Sequence, residues 1–352
     1  MARASQSGQH RTYVALFALV SALTCIAVIA FNSLVDPLWH FRGNLLTGQN
    51  FAFNERQSKL NLLLQDPERY NCLIFGSSRS TLLPATALAP YRCFNLAFSG
   101  GQIEEFVAFA HYLRNAGLHP RYVVVGVDGF NFMEGGRDAL SIPDYVKDMH
   151  VPPSFLKTYL SVDALRLSIR AMTGGSPLPR YYDQHFEALF SRDAPAFRPE
   201  RSLEGEGLRR ANAEARRKYR YVSSNTKRYA QLAAAFPDAL TVAYVPPISA
   251  WHVADMDKNG VLSGYIDALY ATAAQFRLFI DFSMPSPVTW RTDNTYDGSH
   301  YLPEVNRSIA STLLAGAPQG WGIDPKSISA EAYRLRYQAA LDQFTQHHGP
   351  AR

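Results

Sequence analysis

This sequence has few cysteines, and it lacks the patterns that mark metal and nucleotide sites. Three cysteines occur in 352 residues, too few for a disulfide-rich scaffold, and their spacing does not match paired zinc ligands. There is also no internal repeat, low-complexity tract, phosphate-binding glycine loop or cluster of metal ligands. The sequence therefore predicts neither a metal ion nor a cofactor. Cys25 lies in an apolar segment, whereas Cys72 and Cys93 fall in two predicted strands, where we expect ordinary buried thiols.

Charged residues are also sparse. They make up 18% of the sequence, against 47% hydrophobic and 12% aromatic residues, a composition that is typical of a globular protein and argues against disorder. The formal net charge of +5 is a mild surplus, more typical of a solvated surface than of a protein that binds polyanions. A chain of 352 residues can form one large domain or two modest ones.

A long hydrophobic run lies near the N-terminus. Residues 13–31 carry no charge, and a helix of this length, at about 1.5 Å per residue, nearly crosses a hydrocarbon core of about 30 Å. We therefore interpret residues 13–33 as a transmembrane anchor that follows a short cytoplasmic segment, residues 1–12. Cleavage as a signal peptide is the alternative, but no Ala-x-Ala site follows the run, and the residues before Cys25 make a poor lipoprotein site.

Basic residues around this run predict its orientation. Arg3 and Arg11 precede the run, and only Arg42 follows soon after it. Since Lys and Arg mark the cytoplasmic flank of a span, the bulk of the chain is expected outside the cytoplasm, with a single pass through the cytoplasmic membrane. Four aromatic residues beyond the run either rest at the membrane interface or pack under the domain: Trp39, Phe41, Phe51 and Phe53.

Strands alternate with helices over residues 70–315, after a juxtamembrane connection at residues 34–69. This alternation predicts an α/β fold with three layers, a mainly parallel sheet flanked by helices. The expected strands cover residues 71–75, 91–98, 122–127, 240–245 and 278–282. The expected helices cover residues 102–116, 207–236, 261–276 and 303–314, and a C-terminal helical tail, residues 316–352, contains a further amphipathic helix at 329–346.

The alternation lapses over residues 134–206, where repeated prolines and aromatic residues predict an insertion with short helices. A long irregular segment in a compact domain is typical of a lid, a binding surface or a mobile loop. The helix that follows carries eight Lys and Arg residues between positions 209 and 228. We interpret it as a solvated face, with a surface for anionic lipid headgroups or an acidic polymer as the alternative.

The strongest chemical signal lies in Gly76-Ser77-Ser78, directly after the first strand of the domain. A turn at this point holds Ser78 at the carboxyl edge of the sheet, where open α/β sheets place their chemistry. Ser78 can act as a nucleophile if the chain also supplies a base and an acid that orients it. Asp297 and His300, three residues apart near the end of the chain, can fill these two roles. Either motif alone often serves only as a turn or a helix cap, but together they favour nucleophilic catalysis.

This pair of motifs resembles the SGNH, or GDSL-like, hydrolase superfamily, and the resemblance covers roughly residues 70–315. Gly76-Ser77-Ser78 looks like the first block of that family, residues 95–101 the second, and Asp297 to His300 the last. The chain looks most like the membrane-anchored branch of the family. That branch includes the D-alanine transfer protein of lipoteichoic acid and the periplasmic proteins of polysaccharide O-acetylation, which typically partner a multi-spanning membrane O-acyltransferase.

The resemblance implies a role for each matching residue. Ser78 would be the nucleophile, His300 the base and Asp297 its orienting acid. The backbone of Ser78 and Gly100 or Gly101 would donate hydrogen bonds to the oxyanion.

The sequence departs from the family pattern at two places. Ser77 stands where the family usually has aspartate, a change that the anchored branch shares. The Gly-x-Asn-Asp of the third block is missing, since residues 126–128 read Gly-Val-Asp and offer an ionised acceptor where a donor is expected. Asn131 or Asn95 is therefore expected to substitute as the third oxyanion donor.

Arg79, next to the nucleophile, has two interpretations. It either binds an anionic substrate or pairs with Asp128, in which case both residues are structural.

These patterns favour a membrane-anchored, extracytoplasmic serine esterase or O-acyltransferase. It would act on an acylated cell-envelope glycan or a related substrate through an acyl-Ser78 intermediate. The alternative is a non-catalytic SGNH-like module that docks a membrane O-acyltransferase or holds a polymer. A cytosolic nucleic-acid-binding protein is least favoured, because the basic helix lacks a recognisable nucleic-acid-binding motif and the membrane anchor argues against a cytosolic location.

Overall fold

The computed structural model describes residues 2–51, 53–133, 154–174, 180–190, 197–199, 221 and 225–348. The chain divides into two compact units, the first comprising residues 1–65 and 144–185 and the second residues 66–143 and 186–352. Residues 144–185 fall within the expected insertion of the α/β domain, but they pack with the N-terminal segment instead.

The elements, numbered in chain order, cover both units. The helices are α1 (Ala2–Val35), α2 (Glu55–Gln65), α3 (Ile103–Asn115), α4 (Ser154–Tyr159), α5 (Val162–Met172), α6 (Thr226–Ala234), α7 (Ala250–Lys258), α8 (Leu262–Ala273), α9 (Pro287–Trp290), α10 (Pro303–Ala315) and α11 (Ala330–His348). The strands are β1 (Gln49–Asn50), β2 (Cys72–Phe75), β3 (Cys93–Asn95), β4 (Tyr122–Gly126), β5 (Arg180–Asp183), β6 (Ala188–Phe190), β7 (Leu240–Val245) and β8 (Leu278–Asp281).

Most of the expected elements of the α/β region are confirmed. The five expected strands correspond to β2, β3, β4, β7 and β8, and four of the expected helices correspond to α3, α8, α10 and α11. Of the expected basic helix at 207–236, the structure shows α6 near its C-terminal end. Most of its basic residues, and much of the 134–206 insertion, lie outside the described residues.

The first unit contains the candidate anchor. Within α1, the segment from His10 to Val35 is long and apolar enough to cross a membrane. The last turns of α1 pack against α4 and α5, and β1 pairs with β5 in an antiparallel arrangement. Trp39 is fully buried, so it packs inside this unit rather than resting at an interface, whereas 41% of the Phe41 side chain is exposed.

The second unit is built on a five-stranded, fully parallel sheet with the order β3-β2-β4-β7-β8. The chain starts at β2, adds β3 on one side, and then adds β4, β7 and β8 on the other. The direction of winding therefore reverses between β2 and β4, and in open α/β sheets ligands bind at the carboxyl ends of the strands at this switch point. Ser78 and Asp128 lie just beyond the ends of those two strands.

Helices cover both faces of this sheet, which gives the expected three layers. On one face, Val124 and Tyr244 belong to a core cluster that includes Leu313 of α10. On the opposite face, the ring of Phe75 contacts the ring of Phe106 from α3. Because both faces are buried, the strands read as continuous apolar runs rather than as alternating patterns.

The C-terminal tail is anchored in the second unit through α11. Tyr333 and Tyr337 each donate a hydrogen bond of 2.6 Å to Oδ2 of Asp281, at the carboxyl end of β8. Asp281 is fully buried, and this burial raises its pKa above the usual range, although the hydrogen bonds oppose the shift. Within the expected C-terminal helical tail, α11 therefore contributes buried tyrosines to the second unit.

The prediction of ordinary thiols at Cys72 and Cys93 is wrong. These two residues begin β2 and β3, lie opposite each other in the parallel register, and form a disulfide. The sequence alone does not show the register of two strands, so this pairing could not be read from it. Disulfides of this kind persist in oxidising compartments.

Replacement of both Cys72 and Cys93 by serine should lower the free energy of unfolding by about 3 kcal/mol. The bond closes a loop with a sequence separation of 21 residues, and loops of this size restrict the unfolded chain by about that amount. Chemical denaturation of the full chain in detergent measures the effect. Cys25→Ser is the control, because Cys25 is an exposed free thiol. A double variant as stable as the wild type would contradict this prediction.

Candidate active site

The turn after β2 presents Ser78, which is partly exposed, at the carboxyl edge of the sheet. The chain then folds back so that Ser80, which is fully buried, packs against two glycines. A Cβ atom at Gly76 would lie 2.3 Å from the Ser80 Oγ, and one at Gly126 would lie 2.0 Å from it. Both positions therefore require glycine, and their close packing fixes where Ser78 emerges.

The loop that contains Asp297 and His300, between α9 and α10, is organised by the aspartate itself. Its Oδ1 accepts hydrogen bonds from the backbone N–H groups of Ser299 and His300, both at 2.8 Å. Its Oδ2 is left to accept a hydrogen bond from the imidazole of His300. The N–H of Ser249 donates to the carbonyl of Gly298 at 2.7 Å, which ties the loop to the carboxyl end of β7.

The structure brings together the three residues expected to carry the chemistry, although Ser78 and His300 are 222 positions apart. His300 Nε2 lies 2.8 Å from Ser78 Oγ, and His300 Nδ1 lies 2.6 Å from Asp297 Oδ2. Burial opposes the ionisation of Asp297, but the hydrogen bond and charge of His300 outweigh it and lower its pKa to about 2. An ionised carboxylate only accepts hydrogen bonds, so Nδ1 carries the proton and Nε2 can accept from the Ser78 hydroxyl.

An aromatic ring fixes the plane of the imidazole. Tyr296 stacks on His300 with ring centroids 5.1 Å apart and an interplanar angle of 10°. Phe190 packs on Tyr296 in turn, at a centroid distance of 5.2 Å. Sequence reasoning missed this role, since nothing in the loop sequence shows on which side of His300 the Tyr296 ring lies.

Arg79 pairs with Asp128, as one of its two interpretations predicted. Arg79 Nη2 lies 2.6 Å from Asp128 Oδ1, and the two side chains are 13% and 0% exposed. Asp128 Oδ2 also accepts a hydrogen bond from the N–H of Ser77 at 3.3 Å. The pair therefore connects the end of β4 to the nucleophile turn, while Arg79 also lines the cavity described below.

The two candidate glycine donors differ in how their N–H groups are used. The N–H of Phe98 donates to the carbonyl of Gly76 at 3.0 Å, so this segment runs beside the nucleophile turn. The N–H of Gly101 donates to the carbonyl of Phe98 at 3.1 Å. Gly100 adopts a left-handed conformation (φ 63°), and its N–H makes no hydrogen bond with another described residue. Gly100 is thus the better candidate for the oxyanion hole.

Asn131 and Asn95, the two expected candidates for the third oxyanion donor, both make hydrogen bonds within the protein. The side chain of Asn131 accepts a hydrogen bond from the N–H of Ile103 at 3.0 Å and donates to the hydroxyl of Tyr229 at 3.2 Å. The amide of Asn95 donates to the carbonyl of Ser80 at 2.9 Å. Both amides are buried. Asn131 holds the backbone at the start of α3, and Asn95 holds the backbone just after the nucleophile turn. This arrangement gives them structural roles.

A cavity of about 490 Å³ opens beside Ser78 and His300. Part of its wall is apolar and includes Phe130, Ile248 and Tyr265, while His252 and Asp255 add polar groups from α7. We did not single out the α7 residues from the sequence. Their signal was nevertheless present, because α7 begins just after β7 and therefore at the same edge of the sheet as Ser78.

Asp297 should make an acid-sensitive contribution to stability. Its pKa falls from 3.8 to about 2 on folding, so the ionised carboxylate stabilises the fold above about pH 4, and this contribution is lost as the pH falls through about 2. Because 40% of the side chain is exposed, screening by solvent reduces the effect. Asp297→Asn should flatten the pH dependence of urea unfolding in this range. Equal slopes for wild type and Asp297→Asn would contradict this.

The site thus offers a hydroxyl nucleophile, a base, an orienting carboxylate and a cavity for a substrate. Among the described residues, no group of three His, Cys, Asp or Glu side chains is placed to hold a metal ion. No model of a known protein family matches the chain, and no curated protein matches it.

Proposed function

We propose that the chain is a membrane-anchored serine esterase or O-acyltransferase of the SGNH, or GDSL-like, type. The observation that carries this proposal is the chain of contacts from Ser78 Oγ to His300 Nε2 at 2.8 Å and from His300 Nδ1 to Asp297 Oδ2 at 2.6 Å. This constellation activates a serine hydroxyl on unrelated folds, where it is recognised by its geometry. Its position at the switch point of a parallel sheet adds support.

Each residue has a defined step in the proposed reaction. His300 Nε2 takes the hydroxyl proton as Ser78 Oγ attacks the ester carbonyl, and Asp297 stabilises the imidazolium that forms. The N–H groups of Ser78 and Gly100 are the proposed donors to the oxyanion. The intermediate then collapses, His300 returns the proton to the leaving alkoxide, and an alcohol leaves acyl-Ser78 behind. Water or an acceptor hydroxyl, deprotonated by His300, attacks the acyl group and regenerates Ser78.

The proposed substrate is an acylated glycan, or a related ester, of the cell envelope. The cavity combines an apolar wall for an acyl group or a sugar face with polar groups, on His252 and Asp255, for hydroxyls. The Cys72–Cys93 disulfide supports a periplasmic location for this domain. A multi-spanning membrane O-acyltransferase is the proposed partner, which would supply or receive the acyl group.

The choice between hydrolysis and transfer depends on the oxyanion hole. With both asparagine amides engaged elsewhere, the site has one donor fewer than the family pattern implies. Loss of one such donor costs about 10²–10³ in rate. We therefore propose either a slow esterase or a transferase whose acceptor contributes to the reaction.

A fluorophosphonate probe tests this proposal, because it reacts with activated serine hydroxyls. The full chain in detergent should be labelled, and peptide mass mapping should place the label on Ser78. Ser78→Ala should remain folded by circular dichroism and lose labelling, whereas Ser308→Ala, at an exposed serine of α10, should label normally. Folded wild-type protein that takes up no label would contradict the proposal. Ser78→Ala that stays fully active in cells would instead indicate the non-catalytic docking module.

A further inference from the structure

Large hydrophobic side chains that are exposed to solvent are concentrated in the first unit. Of 19 such side chains among the described residues, 17 belong to this unit, and only Leu240 and Leu335 belong to the second. Nine of the 17 lie on α1, within or next to the candidate span. The other eight lie outside α1, three in residues 41–46 and five in residues 156–172. Exposure of this kind marks an interaction surface.

The exposure of α1 shows where a membrane would end. The uncharged run, residues 13–31, would span about 28 Å as a helix at about 1.5 Å per residue, close to a hydrocarbon core of about 30 Å. Within this run every side chain from residue 13 to residue 27 is exposed. From residue 28 onward most side chains of α1 are partly or fully buried. The folded part of the first unit therefore begins at the level where the hydrocarbon ends.

Polar contacts hold α4 at this level. Asn32 in the last turns of α1 donates a hydrogen bond of 2.7 Å from Nδ2 to the carbonyl of Tyr159. The hydroxyl of Tyr159 donates to the carboxylate of Asp36, which follows α1 directly. Because α4 and α5 both pack against α1, the exposed apolar side chains of residues 156–172 lie beside the point where α1 leaves the hydrocarbon.

The α5 helix has the reverse of the pattern typical of a helix in a soluble protein. Its buried face consists of small residues, Ala164, Ser168 and Ala171. Three of its large apolar side chains are exposed, Val162 (63%), Ile169 (50%) and Met172 (39%), while Leu165 and Leu167 are partly buried. A helix that packs on a core normally buries the large apolar residues and exposes the polar ones. The outer face of α5 is therefore suited to an apolar environment.

Basic residues border this apolar surface. Lys157 on α4 and Arg166 on α5 are exposed. Arg166, 76% accessible, also lies 3.8 Å from the carboxylate of Asp163, which is 89% accessible. Long basic side chains can lay their aliphatic stems on an apolar surface and extend their charges to lipid phosphates. Apolar residues combined with Lys and Arg are typical of helices that lie in the plane of a membrane interface.

We propose that α4, α5 and residues 41–46 rest in the boundary between headgroups and acyl chains of the membrane that α1 enters. The first unit is then a lipid-bound platform rather than only a linker between an anchor and a domain. This inference does not depend on the chemistry at Ser78. Lipid is the occupant of this surface, because the surface lies next to the exposed part of α1 and has the basic residues Lys157 and Arg166 at its border.

Quenching by brominated lipids tests this proposal. In a full chain that carries Cys25→Ser, Val162→Cys and Ile169→Cys are introduced one at a time, labelled with an environment-sensitive fluorophore and reconstituted in vesicles of phosphatidylcholine and phosphatidylglycerol. Cys72 and Cys93 are bonded to each other and do not react with the label. Both labelled positions should lose most of their fluorescence when the lipids carry bromine on their acyl chains. Leu335→Cys on α11, 64% exposed in the second unit, is the control and should stay bright.

Two results would overturn the proposal. Labels at positions 162 and 169 that stay as bright as the label at 335 would show that these side chains do not reach the acyl chains. Labels that are unquenched in vesicles but protected from a water-soluble quencher in native membranes would show that a protein partner covers the surface in place of lipid.

Discussion

Replacement of His300 by glutamine should slow the acylation of Ser78 by about 10³-fold or more. The glutamine amide has no basic nitrogen, so nothing takes the proton as Ser78 Oγ attacks, although the side chain has a similar reach. The contact of 2.8 Å between His300 Nε2 and Ser78 Oγ is the structural reason for this expectation. The rate of fluorophosphonate labelling of the full chain measures the effect, and single-turnover hydrolysis of an activated ester provides a second measure.

His347→Gln is the matched control for this experiment. His347 is an exposed histidine on α11 whose Nδ1 contacts the carbonyl of Gln343, and it does not line the cavity. Its replacement should leave the labelling rate unchanged. If His300→Gln were labelled as fast as the wild type, His300 would not be the base, and the proposed mechanism would be wrong.

Replacement of Arg79 by methionine should destabilise the second unit by about 3–5 kcal/mol, the usual cost of leaving one charge of a buried pair without its partner. Asp128 is fully buried and lies 2.6 Å from the guanidinium, so its carboxylate would lose its counter-ion. The N–H of Ser77 donates a hydrogen bond to Asp128. A displaced Asp128 would therefore disturb the turn that presents Ser78, and the rate of Ser78 labelling should fall as well. Chemical denaturation of the full chain and the labelling rate measure the two effects.

An exposed ion pair in the same unit provides the control. Arg291 Nη2 lies 2.7 Å from Asp293 Oδ2, but 63% and 65% of the two side chains are exposed. Arg291→Met should therefore have little effect on the free energy of unfolding. If Arg79→Met cost no more than this control, and instead weakened only the binding of an anionic substrate, the other interpretation of Arg79 would hold.

The sequence predicted the sheet and its edge because the strands are buried on both faces. Continuous apolar runs such as residues 122–126 and 240–245 indicate parallel strands, and the chemistry of such sheets lies beyond their carboxyl ends. Ser78, Asp297 and His300 could be named for that reason, since each follows a strand or lies in a loop that returns to the same edge. The pairing of Arg79 with Asp128 could also be predicted from the sequence, because both residues follow neighbouring strands.

The remaining features depend on registers and contacts that a sequence does not show. The Cys72–Cys93 bond follows from the alignment of β2 with β3, which periodicity does not determine. Asn131 has the right chemistry for an oxyanion donor, but its amide is engaged by Tyr229, a partner 98 positions away. The described part of residues 144–185 belongs to the first unit, where α4 and α5 pack against α1. A composition rich in proline and aromatic residues gives no indication of that contact.

Ser249 makes hydrogen bonds to both α7, which lines the cavity, and the loop that carries His300. Its Oγ accepts a hydrogen bond from the N–H of Trp251 at 3.2 Å and so caps α7, the helix that carries His252 and Asp255. Its own N–H holds the carbonyl of Gly298 at 2.7 Å, two positions from His300. One buried residue therefore holds both the first turn of the helix that lines the cavity and the loop that carries the base, so Ser249→Ala would remove the cap of α7 and leave the backbone link to that loop in place.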